Sequence, residues 1–149
     1  MRGKIIIICV LVCLLTSCSS GAVKTPAQSS RDGMTLSTNI NLEQVDANIR
    51  FIMTIANQST AEQKLEFTSS QKYEIVVKNS NNEVVYKYSD GKMFAQVLDT
   101  VSIQPEEEII WEEMWTNHHL SEGKYSVDLT ILAKDIELSD TKSFVIKKR

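Results

Sequence analysis

A chain of 149 residues suits one domain plus a tail, and a domain of that size buries roughly two-thirds of its unfolded surface, enough for a core without staples. With 16 Lys+Arg against 19 Asp+Glu the formal net charge is −3, which argues against the clustered basic surface that nucleic acid requires and against electrostatic docking on anionic lipid heads. Cys9, Cys13 and Cys18 are the three cysteines, so nothing beyond residue 18 can form a disulfide framework and apolar burial must hold the domain together.

The chain begins with two positive charges, Arg2 and Lys4, and an unbroken apolar run from Ile5 to Leu15. These eleven residues fit the ~7–15 of a signal-peptide core and fall short of the ~20 that span a bilayer. Leu15-Thr16-Ser17-Cys18 follows, and this stretch resembles the lipobox of bacterial lipoproteins: Leu, two small residues, Cys. The resemblance implies cleavage between Ser17 and Cys18, with a diacylglycerol thioether on Cys18 and palmitate-type acyl chains. A thiolate is the side-chain nucleophile suited to that alkylation. Two or more chains, at ~0.8 kcal/mol per buried CH₂, make such an anchor durable. The expected location is the cell membrane, lipid-anchored, on its extracytoplasmic face. The expected division is a signal peptide over 1–17, a flexible tether over 18–33 and a domain over 34–149. Ser19 to Gly33 is small and polar, contains Gly21 and Pro26, and has no apolar period, so a reach of ~20 Å is expected of it.

From Met34 onward the apolar residues recur at period two. Leu36, Ile40 and Leu42 alternate with Ser37, Asn39 and Asn41, and Ile49, Phe51, Met53 and Ile55 share one face of the next run. Asn57 to Thr60 breaks that run; a short strand then carries Leu65 and Phe67. Tyr73, Ile75 and Val77 alternate with polar residues up to Asn79-Ser80-Asn81-Asn82, a hairpin signal because Asn tolerates positive φ. Val84 to Tyr88 returns and stops at Asp90-Gly91. Val97, Val101 and Ile103 continue the alternation to Pro105, and Glu108 to Trp115 follows with Ile109, Trp111 and Trp115 on one face. Tyr125, Val127, Leu129 and Ile131 mark the clearest strand, and Asp140 to Lys148 closes the chain. Eight or nine short strands with no amphipathic helix predict an all-β, immunoglobulin-like antiparallel β-sandwich. Tyr125, after the Gly123 turn, is either a tyrosine corner or an ordinary inward Tyr.

Chemistry-bearing constellations are scarce. Gly91 and Gly123 are the only glycines past the tether, so no phosphate-cradling loop exists, and there is no G-x-S-x-G. His118 and His119 are adjacent and would point to opposite faces of a strand, which favours a solvated pair over a metal site. The acids Glu106, Glu107, Glu108, Glu112 and Glu113 lack the Gly-containing loop that wraps Ca²⁺ and read as the water face of an edge strand. No catalytic residue, metal site or cofactor is expected, and the domain is not expected to be an enzyme. Trp111 and Trp115 read as core residues beside Ile109; exposed, they would form an aromatic platform for a sugar ring.

The segments Asn57-Gln58-Ser59, Gln71 to Val77, Tyr86-Lys87-Tyr88-Ser89, Lys92 to Gln96, Trp115 and Gly123 to Val127 appear in an order and spacing that resembles the BsuPI domain, named after an intracellular proteinase inhibitor of bacilli. The similarity runs from Phe51 to Leu132. It implies a compact β fold and inhibition of a serine protease. The namesake is cytoplasmic whereas this chain carries an export signal, so the implied protease partner is an exported one. The motif locates no reactive loop. Ser89 to Phe94 is the segment most prone to protrude, offering Lys92 or Met93 to a pocket; a plain hairpin with Met93 and Phe94 tucked inward is the favoured alternative. The function expected is therefore a membrane-anchored lipoprotein with a non-catalytic protein-binding domain of proteinase-inhibitor type. A module binding a cell-envelope polymer or carbohydrate is the alternative.

Overall fold

The computed structural model describes residues 28–31, 34–116 and 121–147; Cys18, His118 and His119, with the readings placed on them, lie outside these. Ten strands and no helix occur among the described residues. In chain order they are β1 (Gln28–Arg31), β2 (Met34–Val45), β3 (Asn48–Asn57), β4 (Gln63–Phe67), β5 (Tyr73–Asn79), β6 (Val84–Lys87), β7 (Asp99–Ile103), β8 (Glu108–Thr116), β9 (Gly123–Ile131) and β10 (Leu138–Ile146).

Side chains alternate between the faces of a strand, so a strand with one covered face must carry apolar residues at every second position. The longer strands do this: Ile49, Phe51, Met53 and Ile55 of β3 are buried, as are Tyr73, Ile75 and Val77 of β5 and Tyr125, Val127, Leu129 and Ile131 of β9. Two four-stranded antiparallel sheets result, ordered β1-β2-β3-β8 and β10-β9-β5-β6, with a two-stranded β4-β7 ribbon beside them. Their apolar faces form one core, to which the ribbon adds Leu65, Phe67 and Ile103. Removing one such side chain from water contributes roughly 1.5–3 kcal/mol. The fold is the expected all-β sandwich.

Two strand expectations need correction. β1 lies inside the stretch read as a tether and pairs with β2 from Gln28↔Ser37 to Arg31↔Met34. Its polar sequence gave no sign because pairing of main chains needs no apolar side chains. The strand ending at Pro105 begins only at Asp99, and Val97 lies outside it, partly exposed.

The connections are built by local chemistry. Asp46 and Asn82 take positive φ in the β2–β3 and β5–β6 turns, and Gly91 does so after β6. Asn57, read as a strand breaker, is a buried clasp. Its amide Nδ2 donates toward the carbonyls of Ala61 (2.8 Å), Ile103 (2.9 Å) and Gln104 (3.1 Å), while its Oδ1 accepts from the Ser59 amide and hydroxyl. The Asn-Gln-Ser segment thus ties the end of β3 to the loops flanking β4 and β7, a structural role. Tyr125 donates its hydroxyl to the Ser121 carbonyl at 2.8 Å, a bond back to upstream backbone that makes it a tyrosine corner.

Candidate partner-binding site

The flank where β6 and β8 face each other across the sandwich collects most of the aromatic residues. Because β8 alternates, Trp111, Glu113 and Trp115 all point toward the interior, while Ile110, Glu112 and Met114 point out. Tyr86 of β6 stacks on Trp115 with centroids 4.9 Å apart, and Phe51 of β3 lies 5.7 Å from Tyr86 and 6.4 Å from Trp115. Further along, Tyr73 meets Tyr88 at 4.6 Å and Trp111 at 5.7 Å, with Phe67 edge-on to Trp111. Trp115 is only 5 % exposed and Trp111 packs against the core, so both tryptophans are structural, as expected. That placement counts against a sugar-binding platform.

Glu113 is a correction to the reading of the acidic run. Glu108 and Glu112 do lie on the water face of an edge strand, but Glu113 sits between the two tryptophans on the inner face. A carboxylate there needs partners. It has two: the Tyr73 hydroxyl donates to Oε2 at 3.3 Å, and Lys92 reaches Oε1 at 3.1 Å. Burial pushes the Tyr73 hydroxyl far above the usual tyrosine range, with the neighbouring Tyr88 and Glu113 adding to the shift. Burial does the same to Tyr86, followed by the Glu113 charge. Both phenols therefore keep their protons at neutral pH, and Tyr73 donates its own to Glu113. Among the described residues no three His, Cys, Asp or Glu side chains converge to hold a metal ion.

Above this aromatic wall runs the segment Ser89–Leu98, for whose first part, Ser89–Phe94, the inward hairpin is the favoured expectation. It is instead an irregular loop whose tip points away from the domain. Met93 is 100 % exposed, Leu98 84 % and Val97 47 %. Phe94 is half-buried against Tyr88 at 5.9 Å, so the expectation fails for Met93 and holds for Phe94. The loop is nonetheless fastened on either side of Met93. Gly91 takes φ +72° and the Lys92 amide donates to the Ser89 carbonyl at 3.1 Å. The Lys92 ammonium sits 3.4 Å above the Tyr88 ring while it pairs with Glu113. Ser70 holds Ala95 twice, donating its amide to the Ala95 carbonyl (2.9 Å) and accepting the Ala95 amide on its hydroxyl (3.0 Å). At the far end Asp99 pairs with Lys72, whose hydrogen bond, and then charge, hold the Asp99 carboxyl below the ordinary range. A fully exposed apolar side chain at the tip of a braced loop is a feature of this surface that intramolecular packing does not explain.

The sheets and their connections define an all-β sandwich domain. Comparison of the sequence with family models then matches residues 36–136, more than half of the chain, to BsuPI, the intracellular proteinase inhibitor family. The chain belongs to this family. No curated protein sequence matches it. Among solved structures, a DUF1425 family member from Shewanella sp. pv-4 is similar at 10 % identity over 86 % of this chain and 94 % of that one, with a TM-score of 0.43. The sporulation control protein Spo0M of Bacillus subtilis is similar at 12 % identity over 76 % and 50 % of the two chains, TM-score 0.43. A β-glucosidase from Listeria innocua matches at 15 % identity over 78 % of this chain but only 16 % of its own, TM-score 0.43. Likenesses at this level carry no argument about activity.

Proposed function

We propose that the protein is an extracytoplasmic lipoprotein, anchored through acyl chains on Cys18, whose domain binds and inhibits an exported proteinase without catalysing a reaction itself. The family description supports the inhibitory class and a protease as partner in general. The observation that carries the protein-binding reading is the Ser89–Leu98 loop, which presents apolar side chains to solvent on a backbone already braced by Glu113, Tyr88 and Ser70. A braced loop surrenders little conformational entropy when a partner takes it up, so more of the contact energy appears as affinity. The anchor half of the proposal rests on the lipobox at Leu15 to Cys18, the positive start and the length of the apolar core.

Each half has its own test. Palmitate labelling of growing cells should mark the wild-type protein in the membrane fraction and leave Cys18→Ser unlabelled; an unlabelled, cytosolic wild type would remove the anchor. Titrating the purified full-length protein against extracellular proteinases should abolish peptide hydrolysis near stoichiometric ratio. Undiminished hydrolysis at micromolar excess would remove inhibition.

A further inference from the structure

The loop offers two side chains that could enter a specificity pocket, the cation Lys92 and the thioether Met93, and the structure separates them. Lys92 is committed to its own domain: its ammonium is shared between the Glu113 carboxylate and the face of the Tyr88 ring. Withdrawing it to fill an acidic pocket would leave Glu113 on the inner face without its cation. Met93 has no such commitment, since it is fully exposed and no described residue packs on it.

Its neighbours fix where it points. On one side Lys92 is clamped, and on the other Phe94 packs on Tyr88 and Ala95 is bonded at both backbone groups to Ser70. None of the residues from Lys92 to Leu98 has a positive φ, so the turn ends at Gly91 and the chain beyond it is free of left-handed kinks. Among the described residues no hydrogen bond occupies the Met93 N–H or C=O. An accessible backbone at that residue can pair with a strand at an enzyme's cleft, where main-chain bonds hold a peptide while alternate side chains fill pockets.

We propose that Met93 is the residue this domain inserts into its partner, and that the partner is an endopeptidase whose primary pocket accepts long, unbranched apolar side chains. The inference rests on the inhibitor reading and adds the specificity of the target. Methionine suits such a slot: it is unbranched, flexible and polarisable, and it fills narrow apolar cavities. Leu98 and Val97 extend the contact on the side of the chain leading to β7.

The test uses the full-length protein in detergent against three probes: chymotrypsin and subtilisin, with apolar primary pockets, and trypsin, whose pocket is acidic. Wild type should inhibit at least one apolar-pocket enzyme and spare trypsin. Met93→Ala should weaken that inhibition by about 30-fold or more, the loss typical of a central anchor side chain. Met93→Lys should move inhibition toward trypsin. Because residue 93 touches nothing in its own domain, both variants should melt with the wild type, which separates lost binding from lost folding. Wild-type inhibition undiminished in Met93→Ala would overturn the role of Met93 and leave the inhibitor reading standing. Absence of wild-type inhibition against all three enzymes would overturn both.

Discussion

The two open flanks of the sandwich are closed in different ways. Where β2 and β10 adjoin, the closure is polar: the Asp140 carboxylate accepts the Ile40 amide at 2.9 Å, Gln44 donates to the Lys147 carbonyl at 3.2 Å, and Lys142 reaches the Asn41 side chain. Where β6 and β8 face each other, stacked rings of Phe51, Tyr86 and Trp115 fill the gap, with Glu113 and its partners among them. Polar contacts of this kind seal an edge with little side-chain mass. Aromatic rings fill volume and, at the rim, supply faces on which a further segment can sit. The Ser89–Leu98 loop sits on those faces through Tyr88, so the flank rich in rings is the one from which the Met93 side chain projects.

The comparison breaks most visibly on deletion of a ring. Trp115→Ala should destabilise the domain by ~3–5 kcal/mol, the usual loss for a large aromatic removed from a packed interior. Asp140→Ala on the opposite flank should cost ~1–3 kcal/mol, because one part-buried amide is left unpaired while packing stays intact. Urea unfolding of both variants measures the difference; equal losses would mean that the two closures are energetically alike.

A second difference appears on the alkaline side. Tyr73 and Tyr86 hold their protons well above the ordinary tyrosine range in the folded protein, burial being the main cause in each. In the unfolded chain they ionise near pH ~10. Above that pH the native state binds more protons than the unfolded state, so stability present at neutral pH is lost as pH rises. Each tyrosine should contribute a slope approaching ~1.4 kcal/mol per pH unit. The double variant Tyr73→Phe, Tyr86→Phe should show a flatter fall of the urea midpoint between pH ~9 and ~11.5 than the wild type. An identical fall would show that the two phenols do not control it.

These differences bear on what a sequence can disclose. Alternation was readable at Ile49 to Ile55, Tyr73 to Val77 and Tyr125 to Ile131 because burial of one face imposes period two directly on the residues. Turn chemistry was readable at Asn82, which takes the positive φ that Asn tolerates, and at Gly91, where the chain turns after β6. The pairing of β8 with β3 was not readable, since register such as Met53↔Trp111 is settled by packing between residues far apart in the chain. Glu113 was misread although its signal was present: it shares the parity of Trp111 and Trp115, and that parity outweighed the charge. For Met93 the sequence offers both a protruding loop and an inward hairpin and nothing that decides between them. An irregular loop has no period, and its apolar side chain suggested burial that Lys92, Phe94 and Ser70 together prevent by fixing the backbone outward.

The smallest effect sharpens the comparison most. Lys92→Ala removes a partly exposed ion pair, so the global stability should move by no more than ~1 kcal/mol. Its consequence should be local, because Lys92 joins the loop to both Glu113 and Tyr88 and no other cation does so among the described contacts. Amide exchange at Ala95 should quicken about fivefold, the equivalent of ~1 kcal/mol of lost local protection, while Val127 and Leu129 in the centre of β9 stay unchanged. Acceleration across β9 as well would make Lys92 a general stabiliser of the fold. No acceleration at Ala95 would mean that the Ser70 bonds and the packing of Phe94 on Tyr88 hold the loop without Lys92, and the Glu113 pair would then support Met93 only indirectly.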